Sequence, residues 1–136
     1  MAETLRLEIV TPDAVVYSED VQMVTLPAIE GQIGVYPMHI PLLTQIVPGE
    51  IIVQKDGHES YLAVGEGVVE VTATSVAIVT DMAIPADHID EAKVEEARQR
   101  AAARLQDKIS DEEVATINAS LARSLAQLKV KRRQHG

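Results

Sequence analysis

The 136-residue sequence contains no cysteine, no tryptophan and no phenylalanine, and Tyr17, Tyr36 and Tyr61 are its only aromatic residues. Without cysteine there is no disulfide scaffold, no thiol nucleophile, no thiolate zinc site and no iron–sulfur cluster. Any core has to be built from Val, Ile, Leu, Met and Ala, and a hydrophobic content of 46% supplies them. Three tyrosines do not make a stacking platform for nucleic-acid bases. No run approaches the roughly 18 apolar residues of a membrane-spanning helix. The opening Met1–Arg6 lacks a basic region followed by an apolar stretch, so it does not read as a signal peptide. The expectation is a soluble, cytosol-facing chain of one modest domain, or of one small domain with an appendage.

Charge of one sign is also scarce by region. Residues 1–86 carry two basic side chains, Arg6 and Lys55, against twelve acidic ones. Residues 87–113 carry five basic and nine acidic side chains. After Glu113 there is no acid at all, while Arg123, Lys129, Lys131, Arg132 and Arg133 follow. The total is −9, yet the two ends have opposite character and so suit different partners. The acidic body repels nucleic acid and anionic lipid. The basic end suits an acidic protein surface, because an ordinary solvated helix face mixes signs.

Two hydrophobic periods share the chain. Leu5, Leu7 and Ile9 alternate with Arg6 and Glu8, the two-residue period of a strand with one buried face. Further strand-like runs are residues 21–25, 51–53, 61–64, 68–71 and 76–80. Thr11-Pro12-Asp13, Glu30-Gly31, Pro48-Gly49, Asp56-Gly57 and Gly65-Glu66-Gly67 separate the strands. Asp56-Gly57 has the composition of a two-residue hairpin turn. About nine or ten strands at this spacing predict a sandwich or flattened barrel.

The pattern changes after Pro85. Asp87 is a candidate cap for a helix starting near His88, and residues 89–106 contain neither Gly nor Pro. Ser110 and Glu113 form a capping box for a second helix from about Asp111 to Arg133. Its apolar stripe is Val114, Ile117, Leu121, Leu125 and Leu128, beside a small-residue stripe of Ala115, Ala119, Ala122 and Ala126. Helices of roughly 30 Å each are expected at 1.5 Å per residue. Alanine contacts bury little area, so the hairpin is expected to pack weakly and to rearrange. The fold class is therefore β + α. An N-terminal flattened β-sandwich of about ten strands occupies residues 1–86. A C-terminal antiparallel two-helix hairpin occupies residues 87–136.

Motifs for catalysis are missing. His39, His58, His88 and His135 are far apart and form no metal-ligand pair. There is no nucleophile elbow and no phosphate-binding loop. The glycines at 31, 34, 65 and 67 read as turn residues, and the acids as solvated strand faces. No catalytic residue and no metal site is expected.

Particular segments then resemble a known family, the epsilon subunits of F-type ATP synthase. Residues 7–12, Leu-Glu-Ile-Val-Thr-Pro, are similar to the family's opening strand. Residues 30–43, from Glu30-Gly31 through Gly34, Pro37, His39 and Pro41-Leu42-Leu43, resemble its most specific motif. Met38 departs from it, standing where many relatives have Gly. Residues 65–71 and 76–81 resemble the strands that follow, and residues 119–130 the family's second helix. The likeness runs in order along nearly the whole chain.

The resemblance implies a non-catalytic central-stalk subunit of the proton-translocating rotary ATP synthase. The sandwich would bind the gamma subunit and the ring of c subunits, with Glu30, Gln32 and His39 at family contact positions, and would couple c-ring rotation to the catalytic head. The hairpin would lie folded beside the sandwich or extend into the head of alpha and beta subunits and suppress ATP hydrolysis. Arg123, Lys129, Lys131, Arg132 and Arg133 would then meet an acidic segment of the beta subunit. Membrane association would come only through the complex, at the cytoplasmic face of a bacterial plasma membrane or at a thylakoid membrane, with no nucleic-acid partner. No cofactor is required. Some relatives bind regulatory ATP on the folded hairpin, and Ile89, Asp90, Lys93, Arg100 and Arg104 partly match that motif. Lys93 replaces an arginine and loses its bidentate fork for phosphate, and an ordinary helix with a Glu96–Arg100 pair explains the same residues. A stand-alone ATP-sensing module is the alternative reading of the whole chain.

Overall fold

The computed structural model describes residues 3–135, with side chains through Arg133. Met1 and Ala2 of the opening segment and the side chain of His135 lie outside the described residues. In chain order the strands are β1 (Leu5–Val10), β2 (Val15–Val21), β3 (Met23–Ala28), β4 (Gly31–Val35), β5 (Leu42–Ile46), β6 (Gly49–Lys55), β7 (His58–Val64), β8 (Gly67–Val71), β9 (Ser75–Thr80) and β10 (Ala83–Pro85). A 3-10 turn at Ala86–His88 leads into α1 (Glu91–Arg104) and α2 (Asp111–His135).

The strands form one hydrogen-bonded sheet in the order β10-β7-β6-β3-β5-β8-β9-β1-β2, and β4 adds to the other side of β3. The sheet folds over on itself as a sandwich close to a barrel. Pairing is antiparallel except between β1 and β9, which run parallel. Alternation decides which side chains go inside. Leu5, Leu7 and Ile9 of β1 are buried while Arg6 and Glu8 face out. With Val24, Leu26, Ile51, Val53, Val69, Val71, Val76 and Ile78 they form an entirely aliphatic core. Tyr17 packs at its edge, and Lys55 of β6 is paired with Glu19 of β2.

Turn chemistry fixes the β6–β7 hairpin. Asp56 and Gly57 both have positive φ, 52° and 78°, and Lys55 pairs with His58. This is the primed two-residue turn that matches strand twist. Gly65 is small for a different reason. A Cβ there would stand 1.9 Å from the Asp81 carboxylate.

α1 differs from expectation in its start, and both helices differ in length. Asp87 lies in the 3-10 turn, and Asp90 caps α1 by accepting a hydrogen bond from Lys93 N at 3.2 Å. Pro85 is extended at φ −60°, ψ 146°, which delays the helix by one turn. At 1.5 Å per residue α1 is about 21 Å long and α2 about 37 Å. Ser110 does cap α2, accepting from Glu113 N at 3.2 Å. Arg132 at the end of α2 reaches Glu91 and Glu95 at the start of α1, so the hairpin is antiparallel.

The expected apolar stripe is used only in part. Leu128 is buried, together with Ser124, Ala126 and Val130, but Leu125 is 54% exposed. The buried set faces β6, β7 and the 3-10 turn, where Ala63, Ala86, Ile89 and Val130 make a second, small cluster. In α1 no residue is buried.

Candidate functional site

The segment carrying the most specific motif is not one loop. Glu30 sits at the β3–β4 turn and Gln32 is the second residue of β4, whereas His39 lies beyond the far end of β4. Five residues of strand separate the two ends, about 16 Å at 3.3 Å per residue. The Glu30 tip lies beside the end of β5, with Ile29 N donating to Gln45 O at 3.0 Å. The His39 loop lies beside the β8–β9 turn, with Met38 N donating to Ala73 O at 2.7 Å. The structure therefore groups Glu30 with Gln32 and sets His39 apart.

Met38 has φ 69°. The backbone thus keeps a left-handed conformation that glycine adopts without cost, although a methionine occupies it. The Met38 side chain points out and is 69% exposed, between exposed Tyr36 and Ile40. His39 is half-buried, and its ring Nδ1 lies 2.6 Å from the Ile40 carbonyl.

The outer face of β5, β8 and β9 was not singled out from sequence. Strand register places Val68 beside both Gln45 and Val79, and Leu43 beside Glu70. Val10 of β1 sits beside Val79. Leu43, Val68 and Val79 are all exposed, Leu43 at 72%. A groove of about 570 Å3 runs past Val10, Pro12, Val68 and Val79. The clue in the sequence is continuous Val-Val in residues 68–69 and Ile-Val in 78–79, where alternation alone would put a polar residue outside.

The basic residues of α2 are largely occupied within the chain. Arg123 is 3.7 Å from Asp81, and Arg132 is 2.9 Å from Glu91. Lys131 Nζ donates to the Ala86 carbonyl at 3.2 Å. Arg133 Nε is 3.0 Å from the Glu50 carboxylate. Lys129 is exposed and makes no ion pair among the described residues. These pairs pin α2 to the sandwich and to α1.

The residues matched to an ATP motif are spread out. Ile89 is buried in the small cluster under the helices. Asp90 caps α1. Arg100 pairs with Glu96 at 3.0 Å, and Arg104 with Asp107 and Glu113 at 3.0 and 3.1 Å. Asp90 and Arg104 stand at opposite ends of α1, about 21 Å apart along the axis. No group of three or more His, Cys, Asp and Glu is placed to hold a metal among the described residues, and no described helix is long and apolar enough to cross a membrane.

Residues 4–86 match the family description "ATP synthase, Delta/Epsilon chain, beta-sandwich domain". Residues 87–132 match "ATP synthase, Delta/Epsilon chain, long alpha-helix domain". The chain belongs to the ATP synthase epsilon-chain family. Membership makes it a non-catalytic subunit of ATP synthase. Bacterial relatives named ATP synthase epsilon chain agree along nearly their whole length. That of Herpetosiphon aurantiacus is 41% identical over 93% of both chains. That of Laribacter hongkongensis is 36% identical over 97% of this chain and 99% of its own. The fold is shared with a chain of the Euglena gracilis mitochondrial ATP synthase, at TM-score 0.80 and 24% identity, covering 93% of this chain and 79% of the other. A chain of the Tetrahymena thermophila mitochondrial enzyme's central stalk and c-ring shares it at TM-score 0.62 and 14% identity, covering 97% of this chain and 96% of the other.

Proposed function

We propose that the chain works in the central stalk of F-type ATP synthase, with the work divided between its two parts at about residue 86. The sandwich couples rotation of the c-ring to the catalytic head by binding gamma and the ring, and the hairpin suppresses ATP hydrolysis when it leaves the sandwich and extends along gamma toward the alpha and beta subunits. Assembly with a membrane-embedded ring puts the chain at the cytoplasmic face of a bacterial plasma membrane.

The observation that carries this reading is the contrast in attachment. The sandwich closes its own aliphatic core without any helix residue, whereas α1 buries nothing and α2 is held by a small apolar seam of Ala126, Leu128 and Val130 together with ion pairs, of which those of Arg123 and Arg132 are exposed. Exposed ion pairs are worth only about 0–1 kcal/mol each, so a competing acidic surface can replace them. Arg123, Lys129, Lys131, Arg132 and Arg133 are the groups that would change partners. The two ends of β4 suit two partners. Tyr36, Met38 and Ile40 around His39, with Leu43, Val68 and Val79 on the outer face of β5, β8 and β9, offer an apolar contact for gamma, and the polar Glu30–Gln32 tip suits the loops of the ring. Regulatory ATP forms no part of the reading, because Asp90, Arg100 and Arg104 already serve the helices.

The test is ATP hydrolysis by the cognate head reconstituted with gamma and either the full chain or residues 1–86. Both forms should bind, and only the full chain should suppress hydrolysis. Equal hydrolysis with both bound would remove the inhibitory role, and failure of either to bind gamma would remove the coupling role.

A further inference from the structure

Glu50 is the one charged side chain among the buried residues described, and its side chain is 2% exposed. It stands on the helix-facing side of β6, paired in register with Ala63 of β7, and Ala63 belongs to the small apolar cluster under α2 with Val130. Among the described residues, neither carboxylate oxygen has a hydrogen-bond partner. Arg133 Nε approaches Oε2 at 3.0 Å without hydrogen-bond geometry, so the contact is one of charge alone. The Arg133 guanidinium also lies over the ring of Tyr61, 5.7 Å from its centroid.

Such a group is costly unless its counter-charge is present. Removing one partner of a buried pair leaves an uncompensated charge, whereas replacing both is often neutral. Here the two charges sit on opposite sides of the joint between sandwich and hairpin. α2 packs across β6 and β7, where Glu50 is buried, and among the described residues the cation within ion-pair distance of it is Arg133 in the last turn of α2. Undocking returns both groups to water.

We infer that Glu50 and Arg133, with Tyr61 as the platform for the guanidinium, form a latch that makes the docked hairpin conditional on the C-terminal turn of α2. If that turn is withdrawn or its cation engaged elsewhere, the buried carboxylate itself expels the helix. Arg123 and Arg132 do not have this property. The acids paired with Arg123 and Arg132 (Asp81, Glu91 and Glu95) are exposed or partly exposed, so losing those arginines leaves no buried charge behind. The latch is a property of the chain by itself and does not depend on the hairpin inhibiting hydrolysis.

The absence of native cysteine makes the test direct. Spin labels at Gln54→Cys and Leu125→Cys, both exposed positions, report the sandwich-to-α2 distance by pulsed dipolar spectroscopy in the full chain. The parent should give one short distance. Arg133→Gln should raise the undocked-to-docked ratio about tenfold or more. Glu50→Met should stay docked, and Glu50→Met with Arg133→Gln should match Glu50→Met alone. Arg123→Gln serves as the control for loss of an exposed pair and should give a smaller shift that is the same in both backgrounds. The latch is overturned if Arg133→Gln leaves the distances unchanged, or if it shifts them equally with Glu and with Met at position 50. Circular dichroism of the strands checks that each variant keeps the sandwich, and Glu50→Gln replaces Glu50→Met if the latter does not fold.

Discussion

In the sandwich, Leu7, Ile9, Val24, Leu26, Val53 and Val76 are fully closed off from solvent, while α1 removes no residue from solvent and α2 buries only Ser124, Ala126, Leu128 and Val130 in its second half. The two regions draw on the same aliphatic alphabet, so composition does not explain the difference. Side-chain size and layering do. Strands place large branched residues on both inner faces of a closed sheet. In the helices many of the half-buried positions, such as Ala97, Ala101, Ala102, Ala119 and Ala122, are alanine, which allows close approach but offers little area. A chain assembled this way has a part that holds its shape and a part that can be given to another partner.

Unequal response to comparable truncations would show this contrast most strongly. Leu7→Ala should cost about 3 kcal/mol of sandwich stability through lost burial and an unfilled cavity. Val94→Ala in α1, where the residue is only half-buried, should cost less than about 1 kcal/mol. Urea unfolding followed by far-ultraviolet dichroism measures both. Similar costs would erase the distinction.

A second contrast lies within the sandwich, between its inner and outer valines. Leu43→Glu with Val79→Glu should weaken binding of gamma about tenfold or more, since each would bury an unpaired charge in an apolar contact. Stability of the free chain should change by less than about 0.5 kcal/mol per site, as for other exposed positions. Titration calorimetry against gamma and urea unfolding read the two effects. Unaltered binding would move the gamma contact elsewhere on the sandwich.

The smallest effect concerns Tyr17, whose phenol is pushed up to about 12, first by burial and then by the neighbouring Glu19 charge. An unfolded tyrosine ionises near 10, so between these values the folded state holds the proton and the unfolded state has lost it. Stability contributed by the neutral phenol is complete below pH 10 and declines as pH rises toward 12. Lys55 is held charged above the usual lysine range mainly by its hydrogen bond to Glu19, and its loss of charge at high pH also removes stability. The informative quantity is therefore a difference. Tyr17→Phe should show a shallower alkaline loss of stability than the parent, and equal slopes would contradict the assignment.

Much of this arrangement is legible in the residues themselves. The alternation of Leu5, Leu7 and Ile9, the Asp56-Gly57 turn and the Ser110–Glu113 cap reappear as read, because each is decided locally. Strands β2, β4, β5 and β10 leave weaker marks. Polar Ser18-Glu19-Asp20 lies in β2, glycines in β4, Thr44-Gln45 in β5, and β10 is three residues long. Their strand state comes from partners distant in sequence, such as Leu42 beside Val71. Gly and Pro punctuate the residues from Glu30 to His39 without marking a strand, and only pairing with β3 shows that one holds their ends apart. The start of α1 was misplaced because Asp87 and Asp90 are both acceptable caps locally. What lies beyond sequence altogether is the meeting of Glu50 with Arg133 and the exposure of Leu125, since both depend on how α2 settles across β6 and β7.

The central claim, a self-sufficient sandwich carrying a lightly held hairpin, is tested most directly by native-state hydrogen exchange on the isolated full chain. Amides of β1, β8 and β9 should exchange only with global unfolding, those of α1 at least about a hundredfold faster, and those of residues 124–130 in between. Protection of α1 equal to that of the core strands would mean that the two parts unfold as one unit, and the account would be wrong.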